Sequence, residues 1–231
     1  MKDPKEIARL KWISKIQQST IDDILKNSQI AESILHIFLS IKGNEDRTRL
    51  LSQQYAIRKD WTRISASQLN TSRLVRLMAL QFVDQSELQT YLYATQYIFL
   101  GETYVQFCID LFNYICDSLS GQTSVDWDAY LNVQANKTVH VKLASLHSYG
   151  IDCFSDLYDR HLRNSLAHGK YEIDKLGNLK SWSRRDESDV RILSMKELVG
   201  KYDDVSDLTQ ITSLVFGRCM SEEFLTSRMT P

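Results

Sequence analysis

The chain is poor in residues that break helices: of its 231 residues, two are proline, Pro4 and Pro231, and eight are glycine. With no proline between those two ends, the strongest helix-breaking signal is missing, and a mainly α fold is expected. An excess of one charge is also lacking. The 28 Lys and Arg nearly balance the 29 Asp and Glu, for a formal net charge of -1, so any nucleic-acid site must be local. The four cysteines, Cys108, Cys116, Cys153 and Cys219, lack the close pairing of a zinc site or a redox CxxC and read as buried free thiols. His36, His140, His147 and His161 show no ligand spacing as a set, so no metal and no other cofactor is expected.

Long uninterrupted apolar runs are absent as well. The most hydrophobic stretch, Leu88 to Leu119, is broken by Gln96, Glu102, Gln106, Asp110 and Asn113, which makes it a central core helix, kinked near Gly101, and no membrane span. The opening MKDPKEIARLKWISK alternates charge with apolar residues and reads as neither signal peptide nor anchor. A cytoplasmic protein with no membrane partner is the expectation.

What is present is helical periodicity. A hydrophobic content of 43% over this length suits one domain, 1–231. Ile7, Leu10, Ile13 and Ile16 follow Pro4 at amphipathic spacing, and a second stripe from Ile21 to Leu39 runs out at Gly43. Further helices are expected over Glu45–Ile57 and Ser67–Val83. Asp126 is placed to cap a short helix, and Thr138–Tyr149 reads as a helix stopped by Gly150. Another is expected to start near Asp152, to turn Phe154, Leu157, Tyr158, Leu162 and Leu166 inward, and to end at Gly169. Beyond it the period shifts toward alternation: a small C-terminal β-hairpin turns at Leu176-Gly177-Asn178, with DVRIL as a possible third strand. Two short helices separated near Asp203 are expected to complete the chain.

The last turn of the helix that ends at Gly169 reads RNSLAHGKY, residues 163 to 171. At 100° per residue Asn164 and His168 share one side of that helix, while Arg163 lies well away from His168, so a single helix does not aim both at one small group. A second copy of the helix, or distortion of its last turn, would help them converge. His168 sits where the helix C-terminus favours imidazolium. Arg163 offers a permanently charged fork of donors matched to phosphate oxygens. An imidazole that moves protons and a guanidinium that holds a phosphate can cleave RNA without metal, because the 2′-hydroxyl supplies the nucleophile. The plainer alternatives are an Arg163–Asp159 ion pair four residues apart, carbonyl capping by His168, and backbone bonding by Asn164.

The block R-N-S-L-A-H-G-K-Y at the end of a helix resembles the R-x4-H signature of the HEPN superfamily of metal-independent ribonucleases, which occur in toxin–antitoxin, abortive-infection and CRISPR-associated systems. The match runs from Leu157 to Asp174. The resemblance implies a HEPN-like helical bundle, Arg163 and His168 as catalytic pair with Asn164 beside them, an RNA substrate, and a homodimer whose facing motif helices form a composite site. It also implies a cognate antitoxin or defence-system partner. In the branch partnered by nucleotidyltransferase antitoxins one residue separates the histidine from a tyrosine; here Gly169 and Lys170 precede Tyr171, a departure from that branch, and the trailing hairpin looks more like the abortive-infection type. Arg160, Lys170 and Tyr171 are the candidate substrate-binding residues. The alternative is a catalytically inactive HEPN-like module that binds a nucleotide or a protein. A second basic cluster, Arg47, Arg49, Arg58, Lys59, Arg63, Arg73 and Arg76 with Tyr55 and Trp61, is either an RNA-binding surface or a solvated helix face.

Overall fold

A long helical run from residue 86 to 119 organises the molecule, whose computed structural model describes residues 53–81, 85–183 and 188–226. Helix α1 is Gln54–Gln81 and α2 is Ser86–Phe99. Without leaving helical geometry, α2 passes into a π-helical segment, Leu100–Val105, and then into α3, Gln106–Leu119. The irregularity expected near Gly101 takes the form of this wider turn, in which bonds reach five residues instead of four. Helix α3 is buried almost all round, from Phe107 to Cys116, as a core helix must be.

Short helices follow. Asp126 caps α4, Trp127–Gln134, by accepting the Ala129 N–H at 2.8 Å, and Thr138 caps α5, Val139–Ser148. Gly150, at φ +77°, ends α5 in the left-handed region that favours glycine. The helix expected to run from Asp152 to Gly169 is in fact two, α6 over Cys153–Leu157 and α7 over Arg160–Ala167. Tyr158 leaves helical geometry with ψ 96°, and Asp159 restarts the chain as an N-cap, its carboxylate accepting the Leu162 N–H at 3.0 Å.

Two other boundaries differ from the sequence expectation. The described parts of the helices expected over Glu45–Ile57 and Ser67–Val83 meet in α1, because Ile57, Trp61 and Ile64 carry the inward stripe through the gap; residues 45–52, 82 and 83 lie outside the described residues. The terminal pair is one helix, α8, Met195–Thr226, since Tyr202, Val205, Leu208 and Ile211 continue one buried stripe past Asp203. The helices expected between Pro4 and Gly43 lie outside the described residues.

The hairpin is present and gains the third strand. Strands β1 (Tyr171–Ile173), β2 (Leu179–Trp182) and β3 (Val190–Leu193) form an antiparallel sheet in that order, with Tyr171 opposite Ser181 and Ser181 opposite Arg191. Asp174 builds the β1–β2 turn by accepting the N–H groups of Leu176 and Asn178, both at 2.9 Å. Gly177 is confined there: a Cβ would lie 2.8 Å from that of Ser86 at the start of α2, and its carbonyl accepts the Thr90 hydroxyl at 2.7 Å. The sheet in turn holds the end of α7. Ser165 donates its hydroxyl to the Trp182 carbonyl at 2.8 Å, and the Trp182 N–H reaches the Lys170 carbonyl at 3.1 Å.

The core gathers Tyr97, Leu100, Tyr104, Phe112, Tyr114, Trp127, Phe154 and Leu162, each worth about 2 kcal/mol relative to exposure. Cys108, Cys116 and Cys153 are buried free thiols. Burial raises all three, to about 12 at Cys116 and about 11 at Cys153, so they are protonated and unreactive. Among the described residues, no helix is long and apolar enough to cross a membrane.

Candidate functional site

Helix α7 is strongly two-sided. Leu162, Ser165 and Leu166 face the core, while Arg160, Ala167 and His168 face solvent. His168 is the C-cap, its N–H bonded to the Asn164 carbonyl at 3.1 Å. Gly169 follows at φ +64°; its N–H bonds to Leu166 O and that of Lys170 to Ser165 O, the paired bonds of a Schellman end. This closure leaves the imidazole exposed at the tip of the helix. Lys170 is half-buried, and Tyr171 meets the ring of Tyr91 edge-on at 6.3 Å.

Arg163 turns the other way. Its Nη2 pairs with Glu102 Oε1, on the π segment of the central helix, and its Nη1 donates to Asn164 Oδ1 at 2.7 Å. Glu102 Oε2 accepts from Gln106 Nε2 at 3.0 Å, so both carboxylate oxygens are engaged. The pair is half-buried, with 19% of the Arg163 side chain and 34% of the Glu102 side chain exposed.

The alternative ion pair of Arg163 with Asp159 is not formed. Asp159 is spent on its cap and faces Arg191 at 3.7 Å and Lys201 at 3.9 Å instead. One chain therefore joins Arg163 to Asn164, although the helical wheel set Asn164 on the side of His168. His161 lies on the same helix, mostly buried, with Nε2 3.3 Å from Asp189 Oδ2.

Tyr158 borders this cluster. Its ring stacks on Tyr97 at 6.3 Å, and its hydroxyl sits beside the Arg163 guanidinium with Glu102 close by. Burial pushes that hydroxyl far above the usual phenol value; Glu102 adds to the rise and the Arg163 charge opposes it, so the group stays neutral.

Glu102, Tyr158 and Gly101 were not among the candidate site residues read from the sequence. Glu102 figured only as an interruption of an apolar stretch, yet a carboxylate on an otherwise buried helix needs a cationic partner, and that was the available signal.

Of the second basic cluster, three cationic side chains are described, and none of them pairs with a residue of the site. Arg58, Lys59 and Arg63 are exposed on α1, and Arg63 pairs with Asp60 at 3.3 Å; Arg47 and Arg49, and the side chains of Arg73 and Arg76, lie outside the description. Trp61 of α1 packs edge-on against Tyr104 at 5.6 Å, whereas α7 meets Glu102.

Among the described residues no group of His, Cys, Asp and Glu is arranged to hold a metal ion. Comparison with protein-family models, with curated proteins and with solved structures found no match to this chain. The class that can be stated is therefore that of the architecture: a mainly helical protein with a small three-stranded antiparallel sheet.

Proposed function

We propose that the chain is a HEPN-like, metal-independent endoribonuclease, active as a homodimer in the cytoplasm, and a toxin or effector of a prokaryotic defence or toxin–antitoxin system. The observation that carries this reading is the end of α7: Arg163 is anchored at the core surface, and His168 stands exposed one turn beyond it. Two such helix ends facing each other would set the guanidinium of one copy beside the imidazole of the other. The 2′-hydroxyl oxygen attacks phosphorus, the bond to the 5′-oxygen breaks, and the products are a 2′,3′-cyclic phosphate and a 5′-hydroxyl. His168 transfers the protons, Arg163 stabilises the pentavalent phosphate, and Asn164 orients the histidine or the substrate. Arg160, Lys170 and Tyr171 extend the surface toward the RNA strand.

Purified protein in EDTA is expected to cleave total RNA, leaving cyclic-phosphate ends, and folded His168→Ala is expected not to. Ends bearing a 3′-hydroxyl, or equal cleavage by both proteins, would overturn the proposal. One observation favours a second reading, an inactive HEPN-like module that binds a nucleotide or a protein: Glu102 already neutralises Arg163. A nucleotide retained through purification, without RNA cleavage, would favour that reading.

A further inference from the structure

The guanidinium of Arg163 must present its donors in a defined plane if it is to hold a phosphate. Two of its nitrogens are fixed, Nη2 by Glu102 and Nη1 by Asn164. The third, Nε, is buried with no hydrogen-bond partner among the described residues. The Tyr158 hydroxyl, also buried, lies beside the guanidinium, and the two groups interact without a well-formed hydrogen bond. Buried groups of this kind are rare enough in native folds to require a reason.

Tyr158 is held there by three features. It is 2% exposed, at the break between α6 and α7. Its ring stacks on Tyr97. Its edge abuts the π segment at Gly101, where a Cβ would sit 2.8 Å from ring atom Cε2 and from the hydroxyl oxygen. Any side chain at 101 would displace the ring. The turn that offers Glu102 to Arg163 thus also provides the slot for Tyr158.

Resting on the ribonuclease reading, we propose that Tyr158 is a positioning residue for Arg163: wedged against Gly101, it sets the plane of the guanidinium and takes the Nε–H when Arg163 leaves Glu102 for a phosphate. Exchange of a carboxylate for a phosphate turns the guanidinium about its stem. A fixed acceptor at the stem end limits that turn to one orientation. A neutral hydroxyl suits this task, because it accepts from Nε–H without competing with the phosphate for the positive charge.

The test uses the full chain and Tyr158→Phe, which keeps the ring on Gly101 and removes only the hydroxyl. Affinity for a 2′-O-methyl oligoribonucleotide, which cannot be cleaved, is expected to fall about tenfold, the scale of one lost hydrogen bond to a charged group. In an Arg163→Ala background the same change is expected to have no further effect on binding. The Arg163 Nε–H resonance, identified by its absence in Arg163→Lys, is expected to shift in Tyr158→Phe. A tenfold loss that persists without Arg163, or an unmoved resonance, would overturn the positioning role. Failure of the wild type to bind or cleave RNA would count against the ribonuclease reading, and the resonance would still decide whether Tyr158 positions Arg163. Gly101→Ala, which keeps the hydroxyl but displaces it together with the ring, is expected to move the same resonance.

Discussion

Two charged pairs hang from the central helical run, and their surroundings differ. On α3, Asp110 takes the Lys142 ammonium in both carboxylate oxygens, at 2.8 and 2.9 Å, and the side chains are only 11% and 5% exposed. Asn113 reinforces the same joint by donating to the Ile109 and Lys142 carbonyls at 3.0 and 3.1 Å. One helical segment earlier, Glu102 and Arg163 are each several-fold more exposed, and a buried hydroxyl without a well-formed hydrogen bond adjoins them. The first pair is closed to solvent and can only join α3 to α5. The second lies where an outside anion could compete with Glu102 for the guanidinium. Sealing converts a charge pair into a joint, and partial opening leaves it exchangeable.

The contrast can be broken most forcefully at Lys142. Lys142→Ala leaves Asp110 buried without its cation and is expected to cost about 3–5 kcal/mol in chemical denaturation. Burial already raises the Asp110 carboxyl above its ordinary value, with Lys142 pulling it back, so removal of Lys142 is expected to raise it further. A folded value above the unfolded one contributes stability that is present at low pH and lost as pH rises through the folded value. The variant is therefore expected to recover stability, relative to wild type, as pH falls.

A smaller effect is expected at the open pair. Glu102→Gln keeps a hydrogen-bonding group for Gln106 and frees the Arg163 charge. Its stability cost, discounted for solvent screening, is expected to stay below about 1 kcal/mol. Affinity for the uncleavable oligoribonucleotide is expected to rise about fivefold as the competing carboxylate is removed. A destabilisation as large as that of Lys142→Ala, with binding unchanged, would place both pairs in the same structural class.

The smallest effect belongs to a third pair, fully at the surface. His147 Nδ1 lies 2.5 Å from Asp152 Oδ1, and this hydrogen bond, with the Asp152 charge, raises the imidazole above its ordinary value. Its contribution is complete below the ordinary histidine value and disappears as pH rises through the raised one. An NMR titration is expected to find His147 raised in wild type and returned toward the ordinary value in Asp152→Asn.

Much of the helical scaffold was legible in the sequence because it is encoded locally. Asp126, Thr138 and Gly150 fix the ends of α4 and α5 through atoms within three residues, and Asp174 builds the hairpin turn from its own neighbours. The break at Tyr158 was not legible, since the space that takes its ring lies at Gly101, distant in the chain. Nor was the continuity of α1 and α8, where burial against the core overrides polar interludes such as Asp203. At the site, the sequence placed Arg163, Asn164 and His168 in the last turn of one helix and put the imidazole at its C-terminal end. It also required, from helical angles alone, that Arg163 and His168 diverge.

By itself, then, the sequence determined a mainly helical chain with a terminal hairpin and a helix closed by Gly169, because each depends on φ, on side-chain spacing or on a cap a few atoms away. Only the tertiary structure decided what Arg163 meets. Its partner, Glu102, lies sixty-one positions earlier, brought within reach by a π turn, a glycine slot and the packing of α7 on α2. Contacts between distant residues depend on how whole elements pack, which no local pattern records.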